Sequence, residues 1–256
     1  MKKRSFLTLL CACLLIGSNV YAEGENVRLI KQHPSDNSLF TEGLERLPSG
    51  ELLFSTGKYG ESRLGILDPA TGKFEQKALL NDKYFGEGIA STPDGIWQLT
   101  YHEHKAFKRD PKTYKVIQTV EYEGEGWGLT YNKEKDELYM SNGSDEIQVR
   151  KGSNFELIKT IKVTHNDKPL RYINELEYAN GKLYANVLST FDIHAIDLET
   201  GKVEKTYDLQ PIVDKADIKD EDRQKMDAFN GIAHIEGNRF YVTGKNYPAI
   251  FEVELN

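Results

Sequence analysis

Residues 85–89 read FGEGI, and variants of this short stretch return four more times along the chain. Each copy ends in a glycine, or in a residue that stands in its place, followed by an aliphatic residue. The five copies occupy residues 40–44, 85–89, 125–129, 172–176 and 229–232. Because a unit repeated in order organises the whole fold, these copies are the first feature to interpret.

An aromatic-rich segment follows each copy and predicts a second strand in each repeat. These segments span residues 51–56, 95–100, 137–142, 182–187 and 239–244. Turn signals such as PDG at residues 93–95 precede most of them, as expected for strands joined by tight hairpins. Two repeats then end on an Asp-x-x-Thr-Gly-Lys turn, at residues 68–73 and 197–202.

The spacing of the repeats predicts the fold class. The glycine position falls at residues 43, 88, 128, 175 and 231, which gives spacings of 45, 40, 47 and 56 residues. A four-stranded propeller blade takes about 40–50 residues. We therefore predict an all-β fold, a five-bladed β-propeller, formed by residues 23–256 as one domain. The fifth repeat is short, and we expect residues 27–32 to supply its missing strand and close the ring.

The last spacing is long because residues 211–227 are inserted. The insert is charged, and residues 216–226 within it are predicted to form a short helix. We interpret the insert as a surface excursion, with a lid over one face of the ring as the alternative.

The first 22 residues have the pattern of a secretory signal peptide. Lys2, Lys3 and Arg4 form a positive start, residues 6–17 are apolar, and cleavage is expected after Ala22. Both cysteines of the chain, at positions 11 and 13, fall inside this segment, so the mature protein has none. The sequence therefore predicts an exported protein, periplasmic or secreted, without disulfides. The alternative is a lipoprotein anchored at the cysteine at position 13.

Charge and hydropathy limit the partners of the chain. The formal net charge is −7, whereas a nucleic-acid binder needs a basic face. Outside residues 1–22 no segment is long and apolar enough to cross a bilayer, so no stable membrane association is expected. A closed ring of this size has no evident need of a partner, and we expect a monomer.

The first strand of each propeller blade lines the central channel, so equivalent positions form rings. One predicted ring holds Glu42, Glu87, Trp127, Asn174 and Asn230. A second ring, just after the second strands, holds Gly57, Tyr101, Gly143, Leu188 and Lys245. Because these residues differ from blade to blade while the scaffold repeats, they predict a single asymmetric site.

Glu42 and Glu87 are candidates for acid–base chemistry. Each is flanked by small residues, in TEG and GEG, so a ligand can approach the backbone closely. Burial near aromatic side chains would raise the pKa of a glutamate, as an acid–base catalyst needs. The alternative is a buried carboxylate that only accepts backbone hydrogen bonds. Trp127 and Tyr101 are either pocket walls or ordinary packing, and Lys245 faces either a carboxylate or ligand, or solvent.

Metal and nucleophile sites are only weakly indicated. His102 and His104 would share a face of a strand, but a third zinc ligand is missing. The sequence has no nucleophile elbow, no phosphate-binding loop and no dinucleotide fingerprint in its strand–helix context. The acidic channel could hold a structural calcium ion, although no EF-type loop occurs. We therefore expect no cofactor and no catalytic metal.

Five motifs follow one another through the repeats: FTEGL at residues 40–44, FGEG at 85–88, EGWGLT at 125–130, INELE at 173–177 and VTGK at 242–245. Together they resemble the plant-type glutaminyl cyclases, also called glutamine cyclotransferases, a family with bacterial members. The resemblance extends in order over nearly the whole mature chain. This combination is specific, although no single motif is.

The resemblance implies an enzyme that cyclises the N-terminal glutamine of peptides or proteins to pyroglutamate. Ammonia is released, and no catalytic metal takes part. By their places in the motifs, Glu87 would be the acid–base residue, while Lys245 and Asn174 would bind and polarise the side-chain amide. The pocket walls would include Phe40, Phe85 and Trp127.

The chain departs from the family pattern at four positions. Glu42 replaces the usual Gln, and the usual Trp is replaced at Tyr101, Leu188 and Tyr247. We still expect Glu42, Tyr101 and Leu188 to contact the substrate. Two close carboxylates would not both ionise readily, so the pKa of one should rise. Three functions stay open: the cyclotransferase, another propeller enzyme such as a metal-dependent lactonase, and a non-catalytic binder of peptides or other ligands.

Overall fold

The computed structural model describes residues 23–24 and 26–256, and the predicted signal peptide at residues 1–22 lies outside them. In the described chain, five antiparallel sheets of four or five strands stand around a central axis. The first strands of neighbouring sheets contact each other around this axis. The predicted all-β fold, a five-bladed β-propeller, is confirmed.

Each of the first four blades consists of four strands in chain order, from the inner strand at the axis to the outer strand at the rim. Blade 1 comprises Thr41–Arg46, Leu52–Thr56, Arg63–Asp68 and Lys73–Leu79. Blade 2 comprises Gly86–Thr92, Gly95–Thr100, Lys105–Arg109 and Val116–Glu121. Blade 3 comprises Leu129–Asn132, Glu137–Met140, Glu146–Lys151 and Leu157–Lys162. Blade 4 comprises Ile173–Ala179, Lys182–Val187, Asp192–Ile196 and Val203–Asp208.

Blade 5 joins the two ends of the described chain. Its inner strands are Phe229–Glu236, Arg239–Gly244 and Ala249–Leu255, and Val27–Pro34 and then Glu23–Gly24 complete the sheet. Residues 27–32 thus supply the missing strand, as predicted, and pair antiparallel with the last strand. This pairing closes the ring and protects the sheet edges. A small hairpin, Thr164–His165 with Lys168–Pro169, lies between blades 3 and 4 in the sequence.

The apolar core is divided into five clusters, one between each pair of neighbouring blades. Successive residues of a strand point to opposite faces of its sheet. Leu53 therefore packs towards blade 2, while Leu52 and Phe54 pack towards blade 5. Since both faces are buried, the second strands read as nearly continuous hydrophobic runs. The third of them ends at Met140, two residues before the predicted end.

The insert differs from its prediction, because residues 216–226 do not form one helix. Two short helices are present instead, Gln210–Lys215 and Asp220–Arg223. Pro211 lies in the first turn, where a proline suits the start of a helix, and the first helix ends at Ala216 in extended backbone. Ile212 and Val213 are buried in the cluster between blades 4 and 5. No described helix has the length and apolar character of a membrane-spanning segment.

Candidate active site

One cavity of about 210 Å³ lies where the inner strands of the blades converge. Its lining comprises nine residues, Phe40, Glu42, Phe85, Glu87, Tyr101, Trp127, Asn174, Leu188 and Lys245. These are the nine residues that the sequence singled out for catalysis or substrate contact. Asn230, the remaining polar member of the first ring, lies outside the lining and donates from Nδ2 to the Thr41 carbonyl at 3.0 Å.

Irregular strand pairing presents the residues of the first ring. The register between the first two strands shifts next to Glu42, Glu87, Asn174 and Asn230, each time at the start of the inner strand. A bulge of this kind bends the strand and re-aims a side chain. Gly88 permits the tight packing of this region, because a Cβ there would collide with the Trp127 carbonyl of the next blade.

The residues of the second ring follow the ends of the second strands. The amides of Tyr101, Leu188 and Lys245 donate to the carbonyls of Phe85, Tyr172 and Ala228, respectively. These bonds hold the start of the inner strand beside the end of the second strand. Both rings therefore meet at one end of the channel.

Glycines in the second ring make room for two aromatic walls. A Cβ at Gly57 would collide with the Phe85 ring, and a Cβ at Gly143 would collide with the Trp127 indole. The absence of a side chain is thus a packing requirement at both positions. The sequence showed that these positions vary, but it did not show what fills the space.

The aromatic walls form a continuous series. Phe40 contacts Phe85 edge-on at 6.4 Å between ring centroids, and Tyr101 contacts Trp127 edge-on at 6.3 Å. Between these pairs, Phe85 and Tyr101 are tilted against each other at 5.7 Å. The indole of Trp127 also donates to Glu125 Oε2 at 2.9 Å. Such walls enclose an apolar space in which charged groups are poorly solvated.

Glu42 and Lys245 form an ion pair inside this space. The Lys245 Nζ lies 2.8 Å from Glu42 Oε1, and the Glu42 side chain is only 2% exposed. The same Nζ lies 4.8 Å from the centre of the Phe40 ring. Burial raises the pKa of Glu42 to about 7, although the charge of Lys245 opposes this shift.

Glu87 is the second carboxyl group of the cavity. Burial, and next the charge of Glu42, raise the pKa of Glu87 well above its ordinary value, and Lys245 only partly opposes them. The two carboxyl groups therefore do not both ionise readily. Because Glu42 is the direct partner of Lys245, the arrangement favours the protonated form of Glu87.

Two carboxylates at the rim of the cavity were not identified as site residues from the sequence. Glu125 bonds the Trp127 indole, and Glu103 accepts the Phe85 amide at 3.3 Å and the Tyr59 hydroxyl at 2.8 Å. Both further raise the pKa of Glu87. The one available signal was the place of Glu125 two residues before Trp127 in its motif.

Tyr247 is not a wall of this cavity, in contrast to its grouping with the altered aromatic positions. It is 2% exposed, packs against Phe229 and fills the space above Gly244. The reason is local, since Asn246 has a left-handed backbone with φ of 60°. The chain therefore turns immediately after Lys245 and carries the tyrosine ring into the core.

The insert and the histidine pair do not contribute to the cavity either. None of residues 211–227 is among its lining residues. His102 stacks on Tyr101, whereas His104 bonds the Gly124 carbonyl at 2.6 Å. Over residues 26–256, no three side chains of His, Cys, Asp or Glu are grouped as a metal ion would require.

Comparison with known proteins agrees with this geometry. The glutamine cyclotransferase family model matches residues 6–255. The glutaminyl-peptide cyclotransferase of Arabidopsis thaliana is 28% identical over 231 residues, which cover 90% of this chain and 71% of the plant protein. The crystal structure of Myxococcus xanthus glutaminyl cyclase has a TM-score of 0.76 and 32% identity, and the match covers 90% of this chain and 96% of the other.

A more distant structure shares the fold alone. The PQQ-bound aldose sugar dehydrogenase of Streptomyces coelicolor has a TM-score of 0.50 and 13% identity, over 90% of this chain and 98% of the other. The family model, by contrast, matches the sequence of all five blades. The chain belongs to the glutamine cyclotransferase family.

Proposed function

We propose that this protein cyclises the N-terminal glutamine of peptides or proteins to pyroglutamate, with Glu87 as the acid–base residue. Family membership supports the reaction class. The observation that carries the assignment of Glu87 is a buried carboxyl group with a raised pKa in the lining of a partly aromatic cavity. A group that titrates near the working pH can both accept and donate a proton.

The reaction forms one bond and breaks another. The nitrogen of the α-amine attacks the side-chain carbonyl carbon, and the new C–N bond closes the five-membered ring. The bond from this carbon to the side-chain nitrogen then breaks. Glu87 gives its proton to the leaving nitrogen and receives one from the α-amine, so ammonia departs and the carboxyl group is restored.

Lys245 and Asn174 are proposed to hold the side-chain amide. The Lys245 ammonium and the Asn174 side chain both line the cavity. Donors aimed at the carbonyl oxygen favour the tetrahedral intermediate, where negative charge develops. The surrounding walls of Phe40, Phe85, Tyr101, Trp127 and Leu188 would contact the aliphatic part of the glutamine and exclude water, which could otherwise hydrolyse the amide.

The test is ammonia release from a glutamine-initiated peptide by the mature protein. We expect release by the unchanged protein and a loss of about 10²–10⁴-fold in kcat for Glu87→Gln. Glu45→Gln is the matched control, because partial burial also raises the pKa of Glu45, to about 7, but this residue lies outside the cavity. Absence of ammonia between pH 5 and 9 would refute the function. Full activity of Glu87→Gln would refute only the role of Glu87.

One observation favours a second function, the binding of peptide N-termini without turnover. Lys245 is already neutralised by Glu42, and this internal partner competes with a substrate amide. A binder would show saturable association with a glutamine-initiated peptide and no ammonia. Any turnover that depends on Glu87 would decide for the enzyme.

We further propose that the protein works outside the cytoplasm, on the basis of the signal-peptide pattern in residues 1–22. The substrates would then be exported peptides and proteins. Cell fractionation and the N-terminal sequence of the mature protein test this. A start at residue 23 is expected, and recovery of an intact N-terminus from the cytoplasm would contradict it.

A further inference from the structure

A second cavity, of about 270 Å³, adjoins the one that holds Glu87. The two cavities share the Phe40 ring as a common wall. Gly57 also lines the second cavity, while its Cα faces Phe85 and Glu42 Oε1 of the first. Only one aromatic ring and a glycine backbone therefore separate the two spaces.

The second cavity presents two cations. The Lys58 Nζ lies 4.6 Å from the centre of the Phe40 ring, and the Arg63 guanidinium donates to the Ser38 hydroxyl at 2.8 Å. These partners are neutral, and among the described residues neither cation forms an ion pair. Glu61 is the one carboxylate among the lining residues. The cavity thus has an excess of positive charge in a protein whose net charge is −7.

Lys58 adopts a backbone conformation that lysine rarely takes. Its φ is +82°, in the left-handed region where glycine or asparagine is preferred. Asn246 stands at the corresponding turn of blade 5 with φ of 60°. The Lys58 carbonyl accepts the Glu61 amide and the Ser62 hydroxyl, at 3.1 and 2.7 Å, which fixes this turn. Strained residues of this kind concentrate at functional sites.

The rim of the first cavity carries carboxylates, whereas the lining of the second cavity has more cations than carboxylates. Glu103 and Glu125 stand at the rim near Phe85 and Trp127, while Lys58 and Arg63 lie beyond Phe40. A bound peptide N-terminus would carry its α-amine towards the carboxylates. The chain that follows the glutamine would then leave across Phe40. An extended peptide advances about 3.3–3.6 Å per residue, so its next one or two residues reach the second cavity.

We propose that the second cavity is a subsite for an acidic side chain at the second or third position of the substrate peptide. Lys58 is the principal specificity determinant, and Arg63 adds to the positive electrostatic potential of the second cavity. This inference rests on the proposed function, because it places the glutamine in the first cavity. The subsite proposal is separate from the proposed reaction. It concerns the residues that follow the glutamine in the peptide, whereas the proposed function concerns the cyclisation of the glutamine itself.

The test compares kcat/KM for C-terminally amidated tripeptides: Gln-Asp-Ala, Gln-Ala-Asp, Gln-Ala-Ala and Gln-Lys-Ala. We expect at least one acidic peptide to exceed the neutral one by about two- to fivefold, the range of one partly exposed ion pair. The lysine peptide is expected to fall below the neutral one. The preference should decrease as salt screens the charges.

Variants identify the residues responsible. Lys58→Asn removes the cation with a residue that tolerates the left-handed backbone, and Lys58→Arg keeps the charge. The readout is the ratio of the acidic to the neutral peptide within each variant, so a general change in activity cancels. We expect this ratio to fall to about one in Lys58→Asn, to persist in Lys58→Arg, and to rise in Glu61→Gln. A ratio of one in the unchanged protein, or an equal ratio in Lys58→Asn, overturns the proposal.

Binding separates this proposal from the proposed function. If no peptide releases ammonia, the proposed function fails by itself, and the subsite is judged from affinity. Titration of the tryptophan fluorescence with each peptide supplies that measurement, because the indole of Trp127, one of the two tryptophans, lines the first cavity. Tighter binding of an acidic peptide that is lost in Lys58→Asn supports the subsite. Equal affinity for acidic and neutral peptides overturns it.

Discussion

The ammonium of Lys245 lies 2.8 Å from the carboxylate of Glu42, and this buried pair borders the same cavity as Glu87. The negative charge of Glu42 is one of the two main reasons why the pKa of Glu87 is raised, after burial. Glu42 therefore influences the proposed acid–base residue without carrying the proton itself. Where the resemblance to the family predicts an uncharged glutamine, this chain has an ionisable side chain.

Glu42→Gln is expected to move the pH profile of ammonia release towards lower pH. The productive complex holds one proton between Glu87 and the substrate α-amine, so both limbs of the profile depend on these two groups. Removal of the neighbouring negative charge lowers the pKa of Glu87. Whichever limb of the pH–rate profile reports the ionisation of Glu87 is then expected at lower pH, and neither limb is expected at higher pH. The measurement is kcat/KM for a glutamine-initiated peptide across pH 5 to 9.

Glu45→Gln again serves as the control, since Glu45 lies outside the cavity. Its profile is expected to coincide with that of the unchanged protein. An unchanged profile in Glu42→Gln would show that Glu87 does not control either limb.

Lys245→Met is expected to destabilise the protein more at pH 8 than at pH 5. Without the lysine, Glu42 is a buried carboxyl group with no cationic partner, and at pH 8 its ionisation is unfavourable. Removing one partner of a buried pair costs about 3–5 kcal/mol, and the slight exposure of Lys245 places the expected loss near the lower end. At pH 5 Glu42 is protonated, so this part of the loss disappears. Denaturant unfolding at both pH values measures the difference.

The double variant Glu42→Gln/Lys245→Met tests whether the stability loss of Lys245→Met comes from the unpaired carboxyl group of Glu42. With no carboxyl group left unpaired, it should recover most of the stability lost at pH 8. If the double variant is as unstable as Lys245→Met, the loss comes from packing of the lysine stem and not from charge.

Dialysis against a chelator is expected to leave ammonia release unchanged. The only carboxyl groups in the cavity lining are Glu42 and Glu87. Glu42 is paired with Lys245, and the raised pKa of Glu87 favours its neutral form. A divalent cation would also be repelled by the Lys245 ammonium. Ammonia release before and after dialysis, with calcium or zinc added back, measures this. Activity that is lost and then restored by a metal would instead favour a metal-dependent propeller enzyme.

Much of the fold and of the site could be predicted because the sequence repeats. Equivalent residues of the repeats occupy equivalent positions around the axis, so their spacing in the sequence indicates which of them lie together. Once residues 85–89 and their four counterparts are equated, positions such as Glu87 and Asn174 must converge at the axis. The strand at residues 27–32 follows from the same logic, since a ring with a short last blade needs closure. Pairing of Glu42 with Lys245 was foreseen only in outline, as a carboxylate near the lysine.

Features that depend on a single turn could not be predicted in this way. The side chain of Tyr247 points away from the cavity because Asn246 has a left-handed backbone, and a repeat pattern in the sequence does not predict a φ angle. The helices of the insert begin and end differently because Pro211 and the burial of Ile212 outweigh local propensity. The second cavity beyond Phe40 belongs to blade 1 alone, so repetition gave no signal for it.

Carboxyl groups that are buried or partly buried also join the inner strands of neighbouring blades. Glu45 accepts the Ser91 amide of blade 2 at 2.6 Å, and Glu177 accepts the His234 amide of blade 5 at 2.9 Å. Glu175 accepts the Ile232 amide at 2.9 Å. These groups satisfy backbone donors that have no strand partner at the axis. Burial, the largest cause, raises the pKa of all three, that of Glu177 to about 8.

Glu177→Gln is expected to gain stability relative to the unchanged protein as the pH rises from 5 to 8. A carboxyl group whose pKa is raised on folding contributes stability that is complete below about 4.5 and is lost as the pH approaches about 8. Glutamine keeps the same shape, can accept the His234 amide and can donate to Thr130, but it does not titrate. The gain between pH 5 and pH 8 should be about 3–4 kcal/mol, or roughly 6–16 °C in Tm for a chain of this size. Glu254→Gln is the control, because the pKa of Glu254 lies below its ordinary value and its effect stays constant over this range. If the Tm difference between Glu177→Gln and the unchanged protein also stays constant from pH 5 to pH 8, Glu177 is ionised over this whole range and the prediction is wrong.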